Sequence, residues 1–318
     1  MCYNNYMSVN GTKIKVGIIR GGVGNHYASS LRKGGDVISH IVENLSDKYK
    51  VIDILIDKDG VWHLGGLPIK PADLVHKVDI VWDVSQLSNM STILGNLSIP
   101  YIGNSSFQKA LVSNNDMLRA HVGNINIQMP KSIVLPVYQE DIDGPKNKYV
   151  MTKAKEILHK FPAPWIIKSF TPDSNMGIHL AKTFPELIDA IEDGIAHEKS
   201  ILVEEFISGK LGSVHSISGF RGTDIYTFPL INIFGVFSTT EKEKISNQIR
   251  NLHKHLGVEH YLKSDFVLHP KKGIFLTGIY SLPDLKKGSH FDQSCEFVGA
   301  KMSHVSEHIL NKALNKKA

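Results

Sequence analysis

The chain has 318 residues, 42% hydrophobic and 21% charged, which is enough for two or three packed domains of ordinary size. Its net charge of +5 comes from scattered Lys and Arg with no stripe of arginines among aromatics, so nucleic acid is not an expected partner. No apolar run reaches the ~18 residues of a membrane span, and the polar start "MCYNNYMSVNGTK" lacks the basic segment and apolar core of an export signal. A cytoplasmic protein without a membrane partner is the expectation. Cys2 and Cys295 lie at opposite ends of the chain and form neither a disulfide framework nor a metal-binding spacing.

In chain order, "KIKVGIIRGG" predicts a buried strand ending in glycines. "SSLRKGGDVISHIVENL" follows with helical spacing, Leu31, Val37, Ile38, Ile41, Val42 and Leu45 lying on or near one face. "KVIDILID" predicts a second strand and "DLVHKVDIVWDVS" leads into a third. "STILGNLSIPYIGNSS" predicts a helix and a short strand. This β-α-β-β-α-β order fits a small doubly wound domain over residues 13–104.

"SSFQKALVSNNDMLRAHV" predicts a helix leaving that domain, followed by a strand in "APWIIKSF" and a polar loop in "TPDSNMG". A strand and helix come next in "IHLAKTFPELIDAIEDGIAH", then a strand in "SILVEEFISGK". "GSVHSISGF" and "DIYTFPLINI" suit antiparallel strands, and "EKEKISNQIRNLHKHLG" an amphipathic helix. "YLKSDFVLHPKKGIFLTGIYS" suits a hairpin turning at Pro270–Gly273, and "CEFVGAKMSHVSEHILNKAL" a closing helix. The alternation of strands and helices gives an α/β class, α+β in the C-terminal part.

The chemical signals are individually modest. "RGGVGN" follows a strand, so the amides after Gly21 and Gly22 could cradle a phosphate or carboxylate, and an unliganded glycine turn is an equal reading. Lys168 ends an apolar strand before a Ser/Asn/Gly loop; it suits either a nucleotide phosphate or a snorkelling surface position. Glu204 and Glu205 end another strand and could read an adenine edge or simply be solvated. The 16 histidines include no H-E-x-x-H pair, and His253 and His255, two apart on a helix, would face different ways, so zinc is not expected.

Taken together, the order strand–GG loop, "IPYIGNSS", apolar strand–Lys, "LVEEFISG", "SDFVL", "SLPD" and closing helix resembles the ATP-grasp superfamily and, more narrowly, the D-alanine–D-alanine ligase family. The resemblance spans about Lys13 to Leu314. It implies a doubly wound domain at 13–104, a central lid subdomain at 105–210 and a C-terminal ATP-grasp subdomain at 211–318. It implies ATP and magnesium, a small amino-acid-like substrate, and a two-step ligation through an acyl phosphate. Dimers are common in the family resembled, so a homodimer is an expectation.

By the same resemblance, Lys168 falls on the phosphate-binding lysine and Ser174 on a lid-loop serine. Glu204 and Glu205, with Phe206 and Ile207, fall on the adenine-lining segment. Asp265 falls on the first metal carboxylate, Lys263 on the position that supports the oxyanion, and Ser289 on a serine that binds the substrate's terminal carboxylate. Gly21, Gly22 and His26 fall on the first-substrate site, where His26 replaces an acid that would hold an ammonium.

The departures concentrate at the metal. Where the family has a Glu and an Asn after the first carboxylate, this chain has Gly278 and Tyr280. Glycine offers no side-chain ligand and a phenol is a poor one for a hard cation. Met117 replaces a lysine, with Arg119 as a potential substitute, Lys263 replaces an arginine, and Leu211 replaces the ribose-reading acid. Asp284, His290 and Asp292 are nearby in sequence as substitute ligands. Removing one electrostatic contact from such a site costs roughly 2.7–4 kcal/mol in the barrier, so these changes bear on function. Three readings follow: a dipeptide-forming ligase, an ATP-grasp ligase for another acid and amine, and a non-catalytic descendant serving as a nucleotide-binding or interaction module.

Overall fold

The computed structural model describes residues 12–24, 26–85, 87–170 and 176–315. The first sheet is formed by β1 (Ile14–Gly21), β2 (Tyr49–Ile56), β3 (Trp62–Leu64), β4 (Leu67–Ile69), β5 (Ile80–Asp83) and β6 (Tyr101–Ile102), in the order β4-β3-β2-β1-β5-β6. Its β2-β1-β5-β6 portion is parallel, as the buried apolar runs require. α1 (Tyr27–Asn44) and α2 (Met90–Asn96) make the crossovers. The hairpin β3–β4 is an addition to the sequence expectation. Gly65 and Gly66, at φ +59° and +82°, supply its two-residue turn between strands of only three residues each.

The predicted helix after this sheet is two helices, α3 (Ser106–Ser113) and α4 (Asn115–Gly123). Asn114 breaks it: its backbone is extended, and its side chain accepts a hydrogen bond from the Met117 amide, capping α4. β7 (Ser132–Leu135), α5 (Glu140–Asp143) and α6 (Lys146–Lys160) follow, in a stretch for which the sequence reading names no element. With β8 (Trp165–Ser169), β9 (His179–Ala181), α7 (Phe184–Ala196) and β10 (Ile201–Glu205) they complete a second sheet of order β7-β10-β8-β9, antiparallel throughout.

The third sheet comprises β11 (Lys210–Ser218), β12 (Ile225–Thr227), β13 (Ile231–Phe234), β14 (Tyr261–His269) and β15 (Gly273–Tyr280). Its order is β12-β11-β14-β15, with β13 also on β11. α8 (Thr239–His255) precedes β14. The closing segment is again two helices, α9 (His290–Phe297) and α10 (Met302–Leu314), separated at Gly299, whose φ of +66° favours glycine.

Packing welds the first and third sheets together. Val16, Ile18, Ile80 and Trp82 share one core with Ile217, Tyr261, Phe291, Val305 and Ile309. Leu111, Leu118 and Val122 of α3 and α4 join α8 and β14 in another. The second sheet has a core of its own, in which Trp165, Ile167 and Val203 meet Ile157 and Ile191. The second sheet and its helices thus form a lobe with a core separate from that of the larger welded body. Lys109 of α3 also pins the first sheet: its ammonium lies 3.0 Å from the Asp83 carboxylate, with both side chains almost fully buried.

Candidate active site between the second and third sheets

On the second sheet, the antiparallel register sets Lys168 opposite Leu202 and Ile166 opposite Glu204. Lys168 and Glu204 are thus diagonal neighbours on one face. Their ion pair is 2.6 Å long, with the lysine side chain 30% and the glutamate 11% exposed. Glu205 accepts a hydrogen bond from the Lys131 amide at 3.3 Å, Phe206 is exposed and donates its amide to the Pro164 carbonyl, and Ile207 is half-buried beside it.

On the third sheet, Lys263 pairs with Tyr280 and Asp265 with Gly278 across β14 and β15. These four residues share one face. The Lys263 ammonium lies 3.3 Å from Asp265 Oδ2 and 4.8 Å from the centre of the Tyr280 ring. A Cβ placed on Gly278 would meet the Tyr280 hydroxyl at 3.0 Å, so the phenol covers the glycine. Burial, then the negative charge of Asp265 and then that of Glu204, raises the Tyr280 phenol above its ordinary range. Glu204 on the second sheet and Asp265 on the third therefore both act on Tyr280, which places the two ion pairs in one electrostatic neighbourhood. Beside Lys263, as its cross-strand partner on β11, His215 is buried, bonded at 2.6 Å to the Tyr261 hydroxyl and pushed down to about 3 by burial, then by Lys263 and His290.

The other sequence-derived positions are placed as follows. Ser174 lies outside the described residues. Gly21 and Gly22 adopt φ of +86° and +112°; a Cβ at Gly21 would strike the Ile56 carbonyl oxygen at 2.1 Å. Their amides are used within the fold, Gly21 donating to Ser30 Oγ and Gly22 to the Ile56 carbonyl. His26 heads α1 without capping it by its side chain. The Ser289 hydroxyl caps α9, accepting from the Asp292 amide and donating to the Asp284 carbonyl. Arg119 donates to the Pro130 carbonyl and to Ser132 Oγ, and Ser132 stands opposite Glu204 on the neighbouring strand. What the sequence reading lacks is the partnership of Lys263 with Tyr280. Its signal is the cross-strand register, which the turn at Pro270–Gly273 sets only as far as Phe266 and Leu276; a register shift between Asp265 and Phe266 then brings Tyr280 opposite Lys263.

No family model matches the chain. Over 95% of its length it is 22% identical to the D-alanine–D-alanine ligase of Halalkalibacterium halodurans, all of which is covered, and 22% identical to that of Clostridium botulinum strain Loch Maree, of which 99% is covered. Among solved structures it superposes on the VanG D-Ala:D-Ser ligase of Enterococcus faecalis with a TM-score of 0.71 and 19% identity, covering 95% of this chain and all of that one. The D-alanyl-alanine synthetase A of Vibrio cholerae gives the same TM-score at 16% identity, covering 96% and 99%. The chain has the ATP-grasp fold of these ligases and is similar to D-alanine–D-alanine ligases over nearly its whole length.

For such an ATP-grasp protein the fold family implies magnesium, and the donor set can be tested against it. Asp265 Oδ1 is buried and among the described residues meets no hydrogen-bonding partner, which would suit a cation. Magnesium, however, demands a near-complete shell of oxygens. Gly278 offers none, and Tyr280 offers one phenol held over that glycine. Asp284, in the loop before α9, and Asp292, in the first turn of α9, accept amide hydrogen bonds from Lys286 and Gly288. Among the described residues no three His, Cys, Asp or Glu side chains cluster at metal-binding distance. The residues present do not fit a magnesium cradle of the family's kind.

Proposed function

We propose that this protein is an ATP-dependent carboxylate–amine ligase working through an acyl phosphate on small amino-acid-like substrates. The γ-phosphoryl group of ATP passes to the carboxylate of one substrate, releasing ADP. The amine of the second attacks the acyl carbon, and phosphate leaves as the amide forms. The observation that carries the reading is that two ion pairs, Lys168–Glu204 and Lys263–Asp265, both bring a carboxylate to bear on Tyr280.

In this proposal Lys168 holds a nucleotide phosphate as a point charge, and Glu204, Glu205, Phe206 and Ile207 line the adenine. Lys263 steadies the oxyanion of the tetrahedral intermediate, with Ser174 on the lid loop. Gly21, Gly22, His26 and Ser289 surround the amino-acid substrates, and Asp265 remains as the one carboxylate of the reduced cation site. Units at 13–104, 105–210 and 211–318 form the clamp, the middle one closing over the nucleotide. A cytoplasmic homodimer contributing to peptidoglycan synthesis is the biological setting proposed.

A second reading, a catalytically inactive homologue acting as a nucleotide-binding or interaction module, is favoured by one observation: Tyr280 covers Gly278 where oxygen ligands are expected. Two measurements separate the readings. ATP should raise the melting temperature of the full chain, and phosphate release should then depend on an added amino acid from a panel including D-alanine. Binding without phosphate release for any member of the panel would leave the module; indifference to ATP would remove both nucleotide readings.

A further inference from the structure

We propose that Lys263 is the resident cation of the cleft and that adenine nucleotide binds here without a divalent metal, an inference that rests on the nucleotide reading of the proposed function. Lys263 is held from two sides, by Asp265 Oδ2 at 3.3 Å and by the face of Tyr280 at 4.8 Å. An ammonium on a flexible stem beside a carboxylate and over an aromatic ring is a stable arrangement for one positive charge. A divalent ion at the unpartnered Asp265 Oδ1 would sit beside that positive charge and would find a glycine and a phenol as its next neighbours across the strand pair.

The substitutions are mutually consistent as a set. With Gly278 in place of a longer side chain, the Tyr280 ring can lie back over it, and from there it lies beneath the Lys263 ammonium. Loss of the oxygen donors and fixation of the ammonium over the Tyr280 ring thus belong to one side-chain arrangement. Lys168 is held on the second sheet by Glu204, whose charge reaches Tyr280. The surroundings of Tyr280 therefore include one lysine from each sheet, and each is already positioned by its own carboxylate. A polyphosphate entering between them meets two positive charges and their N–H donors, the service a bridging metal would otherwise supply.

The experiment is calorimetric titration of the full chain with ATP, in EDTA and in excess magnesium, for the wild type, Lys263→Met and Lys263→Arg. The wild type should bind in EDTA and tighten less than about tenfold with magnesium. Lys263→Met should lose about tenfold or more in EDTA and recover part of it with magnesium, whereas Lys263→Arg, which keeps the charge, should retain metal-free binding. Tightening of the wild type by about tenfold or more with magnesium, or wild-type affinity of Lys263→Met in EDTA, would overturn the proposal. If ATP binds under neither condition, the nucleotide reading fails and manganese alone, followed by electron paramagnetic resonance, decides the cation. Manganese bound by the wild type but not by Asp265→Asn overturns a resident lysine. Manganese left free, or bound equally by Asp265→Asn, supports it.

Discussion

Tyr280 lies over Gly278 so closely that a β-carbon on the glycine would be 3.0 Å from the phenolic oxygen. The two positions are next-but-one neighbours on β15, and the ring occupies the room that a side chain at 278 would use. Gly278→Glu should therefore push the Tyr280 ring, which is 46% exposed, off the glycine and set a second carboxylate beside Asp265, destabilising the fold by about 1 kcal/mol in urea denaturation. The double variant Gly278→Glu/Tyr280→Asn should recover most of that loss. A single variant as stable as the wild type would contradict the packing.

Lys168 neutralises a glutamate whose side chain is only 11% exposed. Lys168→Met would strand that carboxylate, and the expected cost is about 1–3 kcal/mol of stability, read from chemical denaturation. Lys168→Arg should restore the pair. Unchanged stability in the methionine variant would mean that Glu204 finds another partner.

The Lys109–Asp83 pair joins α3 to the first sheet and is buried at both ends, with side chains 11% and 2% exposed. Asp83 also accepts from the amide and hydroxyl of Ser85, so its charge is fixed in place. Lys109→Met should cost about 3–5 kcal/mol, because removing one partner of a buried pair leaves the other charge uncompensated. Lys109→Met/Asp83→Asn should cost less than the sum of the single changes, and a double-mutant cycle without coupling would refute the pairing.

Two buried histidines set the acid limb of stability. Burial pushes His215 down to about 3 and His253, hydrogen-bonded to Ser216 and Ser218, down to about 4. Both bind their proton less readily folded than unfolded, where the value is near 6.5. Their contribution is complete above pH about 6.5 and declines as pH falls through the window down to the folded values. Between those limits each adds a slope of up to about 1.4 kcal/mol per pH unit to the unfolding free energy. His215→Gln should flatten that slope in denaturation series at several pH values; an unchanged slope would exclude His215 as a source.

Cys295 is fully buried, and burial, then Asp292 and Glu296, push its thiol up to about 12. In a Cys2→Ser background it should resist a thiol reagent while folded and react once urea unfolds the chain. Rapid labelling of the native protein would show that α9 opens locally.

The amino-acid sequence by itself determined most of the elements, because their signals are local. Buried β-branched runs, helical apolar spacing and glycine turns needed no partner to be read, and their order gave the ATP-grasp resemblance. It also exposed the missing oxygens at Gly278 and Tyr280. Boundaries that depend on one cap or one positive φ, at Asn114 and Gly299, were not legible within longer apolar patterns, nor was the three-residue hairpin β3–β4. Only the tertiary structure decided which charges meet. Lys168 and Glu204 are 36 positions apart, and Lys263 reaches Tyr280 across a hairpin. Such pairings depend on strand register and on which cores are shared, and both emerge only when distant segments bury their apolar faces together.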